Sequence, residues 1–316
     1  MTNTRTKISW TDATWSPVTG CSKVSPGCAN CYAETLSLRF GTSKKPWLPE
    51  NAAENVVLHP DRLDAPLHWK KPRLVFVNSM SDLFHENVPD EFIDRVFAVM
   101  AITGGERYRC ATGSRCEHND SPGCYHNAGG VKMPVHTYQI LTKRPDRMLA
   151  YMTAEDRCQR IFDHLNDPEW SMSFEEPDLI AMGAGWPLSN VWLGVSVENQ
   201  HWADERIPLL LQTPSAVRFI SAEPLLGPVD LVPWLGDDIH EGTSNEADIV
   251  VDYGLDWVIV GGESGKGHRP LDLAWAQSIK DQCSAAGVAY FMKQDSGARP
   301  GGYDHLPEDL KIQEFP

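Results

Sequence analysis

The 316-residue chain is 41% apolar and 22% charged, the composition of a folded protein and not of a disordered one. Its formal charge of -15 opposes generic coating of nucleic acid by counterion release, but leaves open a nucleic-acid or phosphate-bearing substrate met by a local basic patch. There is no run of 18 apolar residues, and the N-terminal MTNTRTKISWTDATW lacks the apolar stretch of a signal peptide, so no membrane partner and a cytoplasmic location are expected.

Short segments rich in Val, Ile and aromatics predict strands at TWSPV (14–18), NVVLH (55–59) and RLVFVNS (73–79). A helix follows at 90–102, where Phe92, Ile93, Val96, Phe97 and Met100 form one apolar face. Strand 135–141 leads to a helix over 145–165 that opens on Pro145 and Asp146, and strand 190–196 to a shorter helix at 203–213 holding Pro208. Strands 216–221 and 256–262 precede a helix at 271–287 ending on Gly287, and strand 288–293 comes last. The strands do not alternate strictly, the pattern of burial on both faces of a parallel sheet. The count approaches eight, so the expected fold class is α/β, a (β/α) barrel of TIM type, complete or partly open, with a doubly wound open sheet as the alternative. One domain would span 1–316, with a Cys/His-rich insertion at 104–134 and an acidic loop excursion at 227–255.

Polar residues follow most strands: Asn78, Ser79 and Asp82; Lys143 and Arg144; Ser196, Glu198 and Asn199; Glu223; Glu263 and Ser264; Lys293 and Gln294. On a barrel these ends share one rim, where active sites are built. His85 lies near the same rim as a candidate acid or base.

The cysteines fall in two groups. Cys21, Cys28 and Cys31 form a C-x6-C-x2-C run after the first strand, with Pro26 and Gly27 as the turn that folds Cys21 back towards the pair. Thiolates favour zinc or iron–sulfur, and packed or reactive thiols are the third reading. Three cysteines would leave one iron of a [4Fe–4S] cluster open. In the insertion, Cys110, Cys116 and Cys124 with one of His118 or His126 would complete a tetrahedral zinc site; an auxiliary cluster or unliganded thiols are the alternatives. Arg107, Arg109 and Arg115 make that loop locally basic. Cys158 and Cys283 stand singly in helical patterns and are expected to be packed thiols.

GCSKVSPGCANCYAE resembles the three-cysteine signature of radical S-adenosylmethionine enzymes, with six residues in the first gap where that signature has three. KISWTDATWSPVTGC, FVNSMSDLFHE, QILTKRPDRM, WLGVSVENQ, RFISAEPLLGP, WVIVGGESG and FMKQDSG extend a likeness to a phage- and prophage-associated three-cysteine family, radical-SAM-like and of uncharacterised function. The resemblance implies that Cys21, Cys28 and Cys31 ligate a [4Fe–4S] cluster whose fourth iron binds S-adenosylmethionine, and that reductive cleavage yields a radical that abstracts a hydrogen atom from an unknown substrate. It further implies that Glu223 or Glu263 accepts from the methionine ammonium, that Lys143, Arg144 or Lys293 pairs with its carboxylate, and that Asn78, Ser79 and Ser196 bind ribose hydroxyls. An electron-donor protein is implied, and a partner enzyme is left open. A zinc-dependent hydrolase on the same barrel and a non-catalytic zinc-stabilised binding protein are the competing readings.

Overall fold

The computed structural model describes residues 6–104, 108–109, 131–132, 134–165, 186–236 and 254–316. Its strands are β1 (Ala13–Trp15), β2 (Val18–Thr19), β3 (Val57–Leu58), β4 (Arg73–Val77), β5 (Tyr108–Arg109), β6 (Val131–Lys132), β7 (His136–Thr142), β8 (Val191–Ser196), β9 (Val217–Ala222), β10 (Trp257–Gly261) and β11 (Ala289–Gln294). Seven of them build one sheet in the order β1-β4-β7-β8-β9-β10-β11, and every neighbouring pair is parallel.

This corrects the expected TIM-type barrel: the fold is α/β, but the sheet is open, with β1 and β11 at its two edges. The physical reason lies in the first two predicted strands. Pro17 has no N–H to give a ladder, and the first segment divides there into β1 and β2. The segment predicted at 55–59 contributes only β3, which pairs antiparallel with β2 in a separate two-stranded sheet, so among the described residues no eighth strand remains to close a barrel. The outer edge of β11 is instead covered by the C-terminal tail, with Met292 N donating to Ile312 O (2.8 Å) and Glu314 N to Tyr290 O (3.0 Å). The doubly wound alternative also fails, because the strand order never reverses.

Both faces of the sheet are buried, which explains the missing alternation. Val75 and Val77, Ile220 and Ala222, Val258 and Val260, and Tyr290 and Met292 belong to the main apolar core. Their neighbours Phe76, Phe219, Trp257, Ile259 and Phe291 belong to a second core with Trp10. Phe76 and Phe219 stand three strands apart, about 14 Å in a flat sheet. Yet both reach the Trp10 ring, at 4.6 and 6.5 Å between centroids, so the sheet curls around Trp10.

The helices are α1 (Tyr32–Phe40), α2 (Ala52–Asn55), α3 (Asp90–Ile102), α4 (Pro145–Thr153), α5 (Arg157–Leu165), α6 (Gln200–Leu211) and α7 (Leu273–Ala286). The segment at 90–102 forms the expected helix, and its five apolar-face residues are all buried. The predicted helix at 145–165 is two, α4 and α5. Asn199 caps α6 by accepting from Trp202 N (3.3 Å), so the helix begins at Gln200, three residues before the expected start. Gly287, at φ 71°, ends α7 in the left-handed region. Among the described residues no helix is long and apolar enough to cross a membrane. Cys110, Cys116, Cys124, His118 and His126 lie outside the described residues, as does 237–253 of the acidic excursion.

The tail also satisfies Trp257, whose indole N–H donates to Glu314 O (2.8 Å). Deleting residues 312–316 should therefore cost at least about 1–3 kcal/mol, the cost of one orphaned buried donor, and should raise aggregation through the bared β11 edge. Thermal unfolding with light scattering checks this; an unchanged midpoint and no added scattering would contradict it.

Candidate functional site

The cysteine segment leaves β2 at Gly20, whose φ of 83° and close approach admit no side chain: a Cβ there would sit 1.8 Å from Asn55 O. The chain then delivers Cys21 from a loop, Cys28 from a short 3-10 turn (Pro26–Cys28), and Cys31 from the position capping α1. The three thiols line one pocket, as the turn at Pro26 and Gly27 led us to expect. Asn78, Ser79, Ser81 and Asp82 after β4, Lys143 and Arg144 after β7, and Ser196 at the end of β8 line it with them. It encloses about 160 Å³, less than the roughly 300 Å³ of a small drug-sized site.

Two buried carboxylates hold the segment across the strand ends. Glu198, after β8, accepts from Ser25 Oγ (2.5 Å) and Arg206 Nη1 (3.0 Å), and Lys143 Nζ stands 3.6 Å away. Gly27 lies against this carboxylate, and a Cβ there would come within 2.4 Å of Glu198 Oε1. Glu263, after β10, accepts from Asn30 Nδ2 (2.9 Å), from Arg269 N (2.8 Å) and from the Arg269 guanidinium. Arg269 Nη2 also donates to Pro26 O (3.0 Å). Burial pushes the Glu263 carboxyl up, but the hydrogen bonds from Arg269 and Asn30 outweigh it and hold the group below its ordinary range.

A second network fixes the Cys21 side. Asp82 accepts from Thr142 Oγ1 (2.7 Å), Lys143 N (3.1 Å) and Arg144 Nη1 (3.1 Å). Arg144, itself buried, further reaches Glu86 (2.8 Å), Ser22 Oγ (2.9 Å) and Cys21 Sγ (3.6 Å). His85 is fully buried. Its Nδ1 accepts from Asn87 N (3.0 Å), so Nε2 carries the proton and donates towards Ser22 Oγ (2.9 Å). In this tautomer His85 cannot take a proton from Ser22, and its role is to position the residue beside Cys21. Burial, and next the Arg144 charge, lower its pKa to about 4.

Asn78, at φ 59°, accepts from Val18 N (3.1 Å) through Oδ1, while its buried Nδ2 has no hydrogen-bond partner. Of the sequence-predicted cofactor residues, Asn78, Ser79, Lys143, Arg144 and Ser196 line the pocket. Glu223, Glu263 and Lys293 do not: Glu263 grips the cysteine segment, and Glu223 pairs with Lys293 (3.0 Å). Sequence reasoning missed Asn30, Tyr32, Arg206 and Arg269. The one signal for the arginines was a glutamate at a strand end several residues earlier in the chain.

The expectation of a metal-binding protein, iron–sulfur or zinc, is corrected here. Among the described residues no group of three or more His, Cys, Asp or Glu side chains is arranged to hold a metal ion. Cys21, Cys28 and Cys31 are free thiols, each with local neighbours. Burial pushes the Cys21 thiol up to about 12 and raises that of Cys31. Cys21 Sγ donates to Ser22 O (3.4 Å), and Cys28 Sγ lies 3.8 Å from Ser25 Oγ. Cys158 and Cys283 are also free.

A family model described as a protein of unknown function (DUF5131) matches residues 5–120 and 130–305. No curated protein and no solved structure matches the chain.

Three outcomes test this geometry. Gly27→Ala should cost about 1–3 kcal/mol, because the pinned Glu198 cannot yield to the new Cβ; a denaturant midpoint at the wild-type value would contradict the close approach. Arg144→Met should cost about 3–5 kcal/mol by stranding Asp82, read in the same experiment. His85 is neutral when folded, with a pKa of about 4 against an ordinary 6.5. The unfolded chain thus binds the extra proton first, and stability from this group is lost as pH falls from 6.5 towards 4. A His85 imidazole resonance that titrates near 6.5 would contradict its burial.

Proposed function

The chain belongs to the family described as a protein of unknown function (DUF5131), and, since that description carries no activity, we propose that it is a radical S-adenosylmethionine-type enzyme of the phage-associated three-cysteine kind its sequence resembles. The observation that carries this reading is the meeting of Cys21, Cys28 and Cys31 with polar residues from three strand ends in one pocket. The carboxyl ends of parallel strands are where α/β folds place ligands.

The chain's own residues suit a ligand that joins an amino acid to a nucleoside. Lys143 supplies a positive charge for a carboxylate, Ser79 and Ser196 supply hydroxyls, and Asn78 Nδ2 is a buried donor with no protein partner. Arg144 is committed to Asp82, Glu86 and Ser22, so its role is to hold the Cys21 side. The small cavity takes one end of such a ligand and leaves the remainder at its mouth. Radical chemistry of this type draws an electron from a cluster held by thiolates. Cys21, Cys28 and Cys31 are the pocket side chains that would hold such a group. The zinc-hydrolase alternative has no arranged histidine and carboxylate set among the described residues.

The test is product analysis. The full chain, incubated without oxygen with iron, sulfide, a chemical reductant and S-adenosylmethionine, should release 5′-deoxyadenosine, and the Cys21→Ala, Cys28→Ala, Cys31→Ala triple variant should release none. Absence of 5′-deoxyadenosine from the unaltered chain, or equal release by the triple variant, would overturn the reading.

A further inference from the structure

The loops that follow β10 and β11 form a wall beside the cysteine segment. Residues 264–270 (SGKGHRP) and 296–302 (SGARPGG) run side by side, with Gly265 N donating to Gly297 O (2.9 Å) and Leu271 N to Ser296 Oγ (2.8 Å). Asn30 Nδ2 donates to Gly267 O (3.1 Å) and Arg269 Nη2 to Pro26 O (3.0 Å), which fixes the first loop against the turn that delivers Cys28 and Cys31 to the pocket. The charge of this wall runs against that of the chain. The chain has 43 acidic residues to 28 basic ones, yet the two loops and the segment 20–32 hold Lys23, Lys266, Arg269 and Arg299 and no Asp or Glu. Lys23 and Arg269 are paired with Glu34 and Glu263. Lys266 and Arg299 are exposed, and among the described residues neither has an acidic partner. The other carboxylates that flank the loops are engaged locally: Asp272 accepts from Ala274 N (2.9 Å) at the start of α7, and Asp295 from Ser296 N (2.6 Å).

The first loop is shaped to receive an anion. Gly265, at φ 117°, and Gly267, at φ 82°, carry the chain through the left-handed region on either side of Lys266, with open space where a Cβ would sit. The successive main-chain N–H groups of Lys266 and Gly267 have no acceptor among the described residues, and the Ser264 hydroxyl has no partner there either. Successive N–H groups in such a turn make a concavity that binds anions. Lys266 adds a point charge and Arg299 a planar fork, the pair of donors that suits a phosphate. Two charges with main-chain donors beside them match one compact anion, and not the spread carboxylates of an acidic protein surface.

We propose that Lys266, Arg299 and this turn hold a phosphate group of the substrate, with the rest of that molecule directed along the wall to the thiol pocket. Its status as substrate rests on the radical reading above; the phosphate site itself does not. The phosphate can belong to a small ester or to a nucleic-acid strand, which share this chemistry.

Calorimetric titration of the full chain, without iron, sulfide or S-adenosylmethionine, tests the site apart from that reading. The probes are adenosine monophosphate, unmodified adenosine, a short single-stranded DNA oligonucleotide and a short polyglutamate peptide. A phosphate-bearing probe should bind and adenosine should not. Binding of the monophosphate identifies a small ester, and binding of the oligonucleotide alone identifies a nucleic-acid strand. Lys266→Ala and Arg299→Ala should each weaken that binding roughly 10-fold or more, the loss of one charge-assisted hydrogen bond. Both side chains face solvent, so the variants should melt with the unaltered chain. Lys71→Ala, at an exposed lysine before β4 and so at the opposite end of the sheet, should leave the affinity unchanged. No binding of either phosphate probe, an affinity that either loop substitution leaves unmoved, an equal loss with Lys71→Ala, or tighter binding of polyglutamate would overturn the proposal.

Discussion

Two buried carboxylates, Glu198 and Glu263, hold the cysteine segment across the open end of the sheet, and the pocket exists because they do. The segment begins beside β1 at one edge, yet its Ser25 is bonded at the end of β8 and its Asn30 at the end of β10. Each carboxylate has its own arginine, Arg206 or Arg269, so neither leaves an unpaired buried charge. Gly27 is the steric counterpart, since only a residue without a Cβ lets the turn lie on Glu198. With both grips closed, three thiols from a loop, a turn and a helix start share one cavity. The raised pKa values of Cys21 and Cys31 follow from the same enclosure, because the desolvation that causes them comes from the roof that brings these thiols together.

The sheet beneath is organised to present those ends. Its sequential order sends every connection the same way, so the larger apolar core lies on one face and the Trp10 cluster fills the other. Curling around Trp10 brings distant strand ends nearer, which lets one short segment reach from β1 to β10. The curl stops short of closure because the C-terminal tail occupies the β11 edge.

What the sequence made legible follows from what local patterns encode. The helix at 90–102 was readable because its apolar face repeats at helical spacing, and the strands because burial on both faces suppresses alternation. The segment at 55–59 misled because a short apolar run does not specify its partner: β3 joins β2 through two residues and never meets the main sheet. The tail's pairing was hidden because KIQEF carries no strong strand signal. At the site, convergence of the cysteines was legible from their spacing and the Pro26–Gly27 turn. The commitment of Glu263 to Arg269 and Asn30, and of Glu223 to Lys293, was not, because ion-pair choice depends on geometry that spacing does not contain. The metal centre was over-read for a similar reason, since the arrangement of side chains around an ion, found for no such group among the described residues, is geometry that a motif does not carry.

The claim on which the rest turns is that Cys21, Cys28 and Cys31 act as one site. Iodoacetamide alkylation of each thiol, resolved by peptide mass spectrometry before and after adding S-adenosylmethionine, addresses it directly. The account predicts that the three are protected together while Cys158 keeps its rate. A result in which one of the three stays as reactive as before while the others are shielded would contradict a shared pocket.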